Sequence, residues 1–191
     1  RDAICTPEYL DQSRAVARMS FTRSNGKSYW CTGTLMNDAR NSGTPHFLTA
    51  NHCISTQSEA SSLVTDWFYR ASACGTPTTD PAARRLTGGA TLLSANANTD
   101  VSFLRLNDAP PAGAVYAGSY FGTPAAAGTP LVAVHHPVGD RQKISLGTLS
   151  SYQNCPNGGE LCQTSAPADA NFIRLSWQQG VVEQGSSGSA A

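Results

Sequence analysis

The sequence predicts an all-β protein on two observations. Nine strand-like runs recur between turn signals rich in Gly, Pro, Asn and Ser. The runs do not alternate with helix-like segments, which is the pattern of a β-barrel or β-sandwich and not of a parallel sheet with crossover helices. The predicted strands are residues 13–21, 28–36, 46–50, 62–70, 90–95, 101–106, 130–137, 142–152 and 171–177.

The predicted strands fall into two groups. Asn25-Gly26 is a strong signal for a hairpin between the first two strands. The Pro-, Ala- and Gly-rich segment 107–115 separates the first six strands from the last three. We therefore predict an N-terminal domain of residues 1–110 and a C-terminal domain of residues 111–191.

Composition limits the possible partners. Charged residues are 14% of the 191 residues, below the roughly 25% usual in soluble domains, and the formal net charge is zero. This balance predicts no nucleic-acid partner and no membrane attachment, and no apolar run approaches the ~18 residues of a membrane span. The chain begins with Arg1 and shows no signal peptide, which is typical of a processed product.

The even number of cysteines predicts disulfides and an oxidising compartment. No Cys-x-x-Cys pair is present, so a structural zinc site is not expected. The alternative is six buried, reduced thiols in a cytosolic protein. The cysteines are Cys5, Cys31, Cys53, Cys74, Cys155 and Cys162.

Two ionisable residues lie at strand ends. His52 follows the apolar run of "LTANHC", and Asp100 directly precedes the strand "VSFLRL". A carboxylate that enters a buried strand needs a partner, and a histidine Nδ1–H is a suitable one. Taken singly, a histidine at a strand end and an aspartate that caps a turn are the simpler interpretations.

The segment "EQGSSGS" contains a candidate nucleophile, Ser187. Its glycines permit a sharp turn, and the backbone N–H groups of Gly185 and Ser187 would form an oxyanion hole. A flexible linker has a similar composition. The order His52, Asp100, Ser187 is that of the chymotrypsin-type catalytic triad, which favours a nucleophile loop, whereas an α/β-hydrolase esterase would show the reverse order.

The motifs "CTGTL", "FLTANHC", "TDVSFLRL", "VAVHHP" and "EQGSSGS" together resemble the lysyl endopeptidases, which are secreted bacterial serine endopeptidases of the chymotrypsin-like fold. The resemblance runs from about Cys5 to the last residue. It implies two six-stranded β-barrels with the active site between them, the second barrel being incomplete in this chain. It also implies that Ser187 attacks the scissile carbonyl, His52 transfers the proton and Asp100 orients the imidazole.

Further expectations follow from the resemblance. The protein would be an extracellular bacterial enzyme, made as a zymogen, that hydrolyses peptide bonds in polypeptide substrates without a cofactor or a metal ion. Cleavage after lysine is expected, and the chain itself has two lysines against eleven arginines. His135-His136 is assigned a structural role, because neighbours on a strand point to opposite faces and do not readily share one metal ion. The implied disulfides are Cys31–Cys53 and Cys5–Cys74, which leave Cys155 and Cys162 as the third pair.

Four features depart from related proteases. Ser186 stands where animal trypsin-like enzymes carry Asp, so their activation by a new N-terminal amine is not expected here. Val181 replaces the specificity Asp of trypsin, and Ser119 replaces an aromatic residue of the family. The chain also ends soon after Ser187, so we expect a further C-terminal segment or a second chain to complete the second barrel. The alternative function is a non-catalytic homologue, or a protease fragment that binds proteins.

Overall fold

The computed structural model describes residues 1–191 and contains two antiparallel β-sheets, so the all-β prediction is confirmed. The strands are β1 (Val16–Thr22), β2 (Ser28–Met36), β3 (His46–Thr49), β4 (Val64–Trp67), β5 (Arg84–Leu86), β6 (Ala90–Asn96), β7 (Val101–Leu106), β8 (Pro130–His135), β9 (Lys143–Asn154), β10 (Gln163–Thr164) and β11 (Phe172–Gln179). The helices are α1 (Leu10–Ser13) and α2 (Gln57–Ser61), with 3₁₀ turns at Ala3–Cys5, Pro7–Tyr9, Pro137–Gly139 and Pro167–Asp169.

The first sheet encloses the main hydrophobic core. Its seven strands run in the order β5-β4-β1-β2-β3-β7-β6. Side chains alternate between the two faces of a strand, and in β1 the buried residues Ala17, Met19 and Phe21 share one face. They pack with Phe47 and Trp67 in a core of 16 buried residues. Each large apolar side chain buried in this way stabilises the fold by about 1.5–3 kcal/mol.

The second sheet has four strands and a small core. Strand β9 pairs with β8 and β11, and the two-residue strand β10 pairs with the end of β9. Its core cluster consists of Ala3, Val134 and Ile144, with Val16 of the first sheet. Neither sheet closes on itself. The first sheet has seven strands instead of the expected six, because β5 adds an edge strand. The four strands of the second sheet fit the expected incomplete barrel.

All nine predicted strands are present, with ends shifted by up to three residues. Strands β5 and β10, which are three and two residues long, and the helices are not predicted from the sequence. Thr56 and Glu59 form a capping box at the start of α2, but five residues are too few to show a helical period. None of the helices is long and apolar enough to cross a membrane. The domain boundary at residues 110 and 111 lies between β7 and β8 and stays a prediction.

Polar side chains of Gln142, which is buried, and Arg18, which is partly buried, join the two sheets. The side-chain amide of Gln142, just before β9, donates to the carbonyl oxygen of Val16 in β1 at 3.2 Å. Arg18 of β1 donates to the carbonyl oxygen of Gly139 at 2.6 Å and to the carboxylate of Asp66 at 2.9 Å. Arg18 thus bonds both to Asp66 in β4 of the first sheet and to Gly139 in the turn between β8 and β9 of the second sheet. These two bonds fix the position of one sheet relative to the other near Gly139.

The structure contains three disulfides, and they are the pairs that the resemblance implies. Cys31–Cys53 links the middle of β2 to the residue that follows His52. The strand end that carries His52 is thus bonded covalently to a central strand of the sheet. The other two pairs are Cys5–Cys74 and Cys155–Cys162.

Replacement of Gly33 in β2 tests the packing of the first core. A Cβ at this position would meet the Phe47 ring and the Met19 sulfur closer than 3.0 Å, so Gly33→Ala overfills a buried site. We expect the free energy of unfolding to fall by about 1–3 kcal/mol in urea denaturation. Gly118→Ala is the control, because a Cβ at Gly118 meets nothing within 4 Å. Equal stability of the two variants would contradict the described packing.

Candidate active site

His52 and Asp100 are joined by two hydrogen bonds. The Asp100 carboxylate accepts the backbone N–H of His52 at 2.8 Å and the imidazole Nδ1–H at 2.6 Å. Because an ionised carboxylate only accepts, the proton of the neutral imidazole lies on Nδ1, and Nε2 is left as a base. The side chain of His52 is 56% exposed and that of Asp100 is 24% exposed, so the imidazole is accessible to a ligand.

The local backbone leaves the Asp100 carboxylate available to His52. The turn before β7 is capped by Asn96, whose side-chain oxygen accepts the N–H groups of Asn98 at 2.9 Å and Thr99 at 3.2 Å. Asp100 itself has a φ of 51°, in the left-handed region that Asp tolerates better than most residues. Its carbonyl oxygen accepts the N–H of Asn51 at 3.1 Å. The turn before β7 is thus capped by Asn96, and the Asp100 carboxylate binds His52.

Residues 183–189, here termed the Ser187 loop, form a tight turn. The N–H of Ser186 donates to the carbonyl oxygen of Glu183 at 3.0 Å, and the N–H of Ser189 donates to that of Ser186 at 3.1 Å. The backbone N–H groups of Gly185 and Ser187 donate to no other backbone group of the chain. They are the two N–H groups predicted above to bind an oxyanion, and that role stays a prediction.

Thr32 of β2, which the sequence analysis did not single out, holds the Ser187 loop. Its N–H donates to the carbonyl oxygen of Ser187 at 2.8 Å, and its hydroxyl donates to that of Gly185 at 2.8 Å. The same hydroxyl oxygen accepts the N–H of His136 at 3.1 Å, and the carbonyl oxygen of Thr32 accepts the hydroxyl of Thr49 at 2.9 Å. Thr32 is fully buried. Since Thr is common in strands, the sequence carries no signal for this role.

Close packing brings the Ser187 loop beside the strand end that carries His52. The carbonyl oxygen of Ser187 lies 3.7 Å from Sγ of Cys53. Gly188 has a φ of 84°, and a Cβ there would collide with the hydroxyl of Thr49, so only glycine fits. No hydrogen bond joins Ser187 Oγ to His52 Nε2 in this structure. In ligand-free enzymes this bond is often long and tightens when substrate binds.

His135 and His136 are both fully buried and bonded to neighbouring residues. His135 contacts the hydroxyls of Ser186 and Ser145 through its two ring nitrogens, and Nδ1 of His136 donates to the carbonyl oxygen of Asp140 at 2.9 Å. Burial lowers the pKa of His135 to about 4, with a smaller effect from the positive N-terminus. Burial also lowers the pKa of His136 to about 3. Both imidazoles are therefore neutral near pH 7.

The fold is that of the chymotrypsin-like proteins, and solved structures share it. The crystal structure of Deg5 superposes with a TM-score of 0.61 at 12% identity, covering 97% of this chain and 77% of that one. The thermostable serine protease AL20 from an extremophilic microorganism superposes with a TM-score of 0.58 at 15% identity, covering 94% and 78%. At these identities the likeness shows the fold alone. The chain has the chymotrypsin-like fold with an incomplete second barrel.

Comparison of sequences shows the family. The sequence model described as "Lysyl endopeptidase, C-terminal domain" matches residues 1–191. The lysyl endopeptidase of Pseudomonas aeruginosa is 38% identical over 196 residues, which cover 98% of this chain and 40% of that protein. This chain therefore belongs to the lysyl endopeptidase family and is a serine-protease-like protein. It spans 40% of the length of that relative.

The free energy of unfolding is expected to fall as the pH drops below the ordinary histidine pKa. His135 and His136 have folded-state pKa values of about 4 and about 3, against 6.5 for an ordinary histidine. The unfolded chain therefore binds more protons between these values, and each histidine lowers the free energy of unfolding by up to about 1.4 kcal/mol per pH unit. Urea unfolding at about pH 7, 6 and 5 measures this slope, and His136→Gln should reduce it by about half. A free energy of unfolding that does not change over this range would contradict the burial of two neutral imidazoles.

Proposed function

We propose that the protein is a secreted serine endopeptidase in which His52, Asp100 and Ser187 form the catalytic triad. The observation that carries the proposal is the pair of hydrogen bonds from His52 to Asp100, at 2.8 Å and 2.6 Å. They fix the tautomer and the ring orientation that a general base requires. Membership of the lysyl endopeptidase family supports the same reaction class.

The proposed reaction begins with acylation. Nε2 of His52 removes the proton of the Ser187 hydroxyl while Oγ attacks the carbonyl carbon of the scissile peptide bond. The carbonyl oxygen becomes an oxyanion that the N–H groups of Gly185 and Ser187 stabilise, each by about 2.7–4 kcal/mol. His52 then gives its proton to the leaving nitrogen, and the C–N bond breaks to leave an acyl group on Ser187.

Deacylation repeats these steps with water as the nucleophile. His52 removes a proton from water, and the hydroxide oxygen attacks the acyl carbon. The new oxyanion uses the same two N–H donors. When the bond to Ser187 Oγ breaks, His52 returns the proton to that oxygen, and the carboxylic acid product leaves.

We further propose cleavage after lysine and secretion. The names of the matched family and of the 38% identical relative support lysine as the residue before the scissile bond. The chain's own two lysines against eleven arginines fit an enzyme that resists self-cleavage. Three disulfides fit an oxidising, extracellular compartment.

Aryl phosphonate probes with Lys, Arg or Ala before the reactive group test the proposal on the whole protein. We expect Ser187 to be labelled, at least about tenfold faster by the Lys probe than by the Arg probe. Peptide mapping by mass spectrometry identifies the modified serine. Ser187→Ala should abolish labelling, whereas Ser189→Ala, in the same loop, should retain it.

The outcomes separate the parts of the proposal. Labelling of Ser187 at equal rates by the Lys and Arg probes would contradict the lysine preference but would still support the assignment as a serine endopeptidase. A folded whole protein that is not labelled at Ser187 would contradict catalysis and favour the alternative of a protein-binding homologue.

Asp100→Asn should lower kcat about 10⁴-fold near pH 7. The amide oxygen can still accept the backbone N–H of His52, which places the NH₂ group against Nδ1. Nδ1 must then accept a hydrogen bond, so the proton moves to Nε2, and His52 no longer serves as the base. Steady-state hydrolysis of a lysine ester measures the loss. Asp108→Asn, which affects a carboxylate bonded to Gly88, is the control, and a loss below about tenfold in Asp100→Asn would refute the role of Asp100.

A further inference from the structure

His135, the last residue of β8, is buried against the Ser187 loop. Its Nδ1 lies 2.6 Å from the hydroxyl oxygen of Ser186, and its Nε2 lies 2.9 Å from the hydroxyl oxygen of Ser145 in β9. Ser186 and Ser145 are buried as well. A ring bonded on both sides is fixed in rotation, and one of its partners directly precedes Ser187.

The donors and acceptors around His135 fit one neutral tautomer. The Ser145 hydroxyl donates to the carbonyl oxygen of Val181 at 3.2 Å, so its oxygen accepts Nε2–H. Nδ1 is then an acceptor, and the Ser186 hydroxyl donates to it. The same Ser186 oxygen accepts the N–H of Glu183 at 3.2 Å. Each of these groups has a partner, whereas a proton on Nδ1 would leave the Ser186 hydroxyl hydrogen without an acceptor.

The contacts of His135 influence the direction of the Ser187 N–H, which the proposed reaction uses as an oxyanion donor. The peptide bond between Ser186 and Ser187 carries one of the two N–H donors assigned to the oxyanion. The direction of that N–H therefore depends on where the Ser186 side chain is held. The imidazole also bonds to the Ser145 hydroxyl, which in turn donates to the carbonyl oxygen of Val181, two residues before the Ser187 loop.

We propose that His135 is a positioning residue whose hydrogen bond with Ser186 aims the N–H of Ser187 at the oxyanion. The inference rests on the proposed function above. Ser186 carries no charge, so the neutral imidazole of His135 is sufficient to bind its hydroxyl. The Asp found at this position in trypsin-like enzymes of animals is instead paired with an N-terminal ammonium group. The role is distinct from that of Thr32, which holds the carbonyl groups on the other side of the same loop.

The charges near His135 are consistent with this role. Besides burial, the N-terminal ammonium group of Arg1 lowers the pKa of His135, and His135 in turn contributes to the lowered pKa of His136. Arg1 donates to the carbonyl oxygen of Ile144, the neighbour of Ser145. Burial lowers the pKa of His135 to about 4, so the acceptor at Nδ1 is present throughout the pH range of ordinary protease assays.

Two substitutions separate the two hydrogen bonds of His135. In His135→Asn, the side-chain oxygen can take the acceptor position of Nδ1, which keeps the bond with Ser186 and loses the one with Ser145. In His135→Gln, the longer amide can donate to Ser145 in place of Nε2, and Ser186 loses its acceptor. Each variant loses one buried hydrogen bond, so we expect similar decreases in unfolding temperature.

The rates of Ser187 labelling by the lysine phosphonate should differ between the two variants of the whole protein. His135→Gln should slow labelling about 10²–10³-fold, as the loss of one oxyanion donor does, with KM for a lysine ester little changed. His135→Asn should stay within about tenfold of the unmodified protein. Addition of Ser186→Ala to His135→Gln should cause no further loss, since both act through one bond. Equal losses in the Asn and Gln variants, or additive losses in the double variant, would overturn the proposal.

Two measurements do not depend on catalysis, so they separate this inference from the proposed function. ¹⁵N NMR of the unmodified protein should show His135 protonated at Nε2 and bare at Nδ1. Amide hydrogen exchange at residues 185–187 should accelerate in His135→Gln and not in His135→Asn. A proton on Nδ1, or equal exchange in the two variants, would overturn the inference even if Ser187 is labelled. If the NMR and exchange results are as expected but Ser187 is not labelled, His135 positions the Ser187 loop and the proposed peptidase activity is contradicted.

Discussion

The candidate site depends on the hydrogen bonds of one buried threonine. Thr32 binds the carbonyl oxygens of Gly185 and Ser187, accepts the N–H of His136 and accepts the hydroxyl of Thr49. These bonds connect the Ser187 loop to β2 and to the end of β3, close to His52. A buried polar group that loses its partner costs about 1–3 kcal/mol, so few other positions of the loop are accessible to the folded chain.

The groups that support the site are largely uncharged. Hydroxyls, backbone amides and the neutral imidazole of His135 hold the Ser187 loop, while the paired charges of Arg18 and Asp66 lie where the two sheets meet. Burial of an unpaired charge is far more costly than burial of a hydroxyl with a partner.

Strand positions could be predicted because they leave a local signal in the sequence, and the pairing of His52 with Asp100 could be predicted from the order of His52, Asp100 and Ser187 together with the resemblance. Alternating apolar residues mark β1 and β7, and a carboxylate next to a buried strand needs a donor. The bonds of Thr32 and His135 to the Ser187 loop could not be predicted, since their partners Gly185 and Ser186 lie 153 and 51 positions away along the chain. The number of strands in each sheet also depends on long-range pairing. The roles of Ser187 and Gly185 in catalysis remain a prediction from order, resemblance and loop geometry.

The distance between Ser187 Oγ and His52 Nε2 tests the central claim most directly. A crystal structure of the whole protein, determined without ligand and with a peptide aldehyde bound, would measure it in both states. We expect about 3 Å in at least the bound state, with the aldehyde oxygen within about 3 Å of the N–H groups of Gly185 and Ser187. A Ser187 side chain that points away from His52 in both structures, with no covalent bond to the aldehyde, would contradict the assignment.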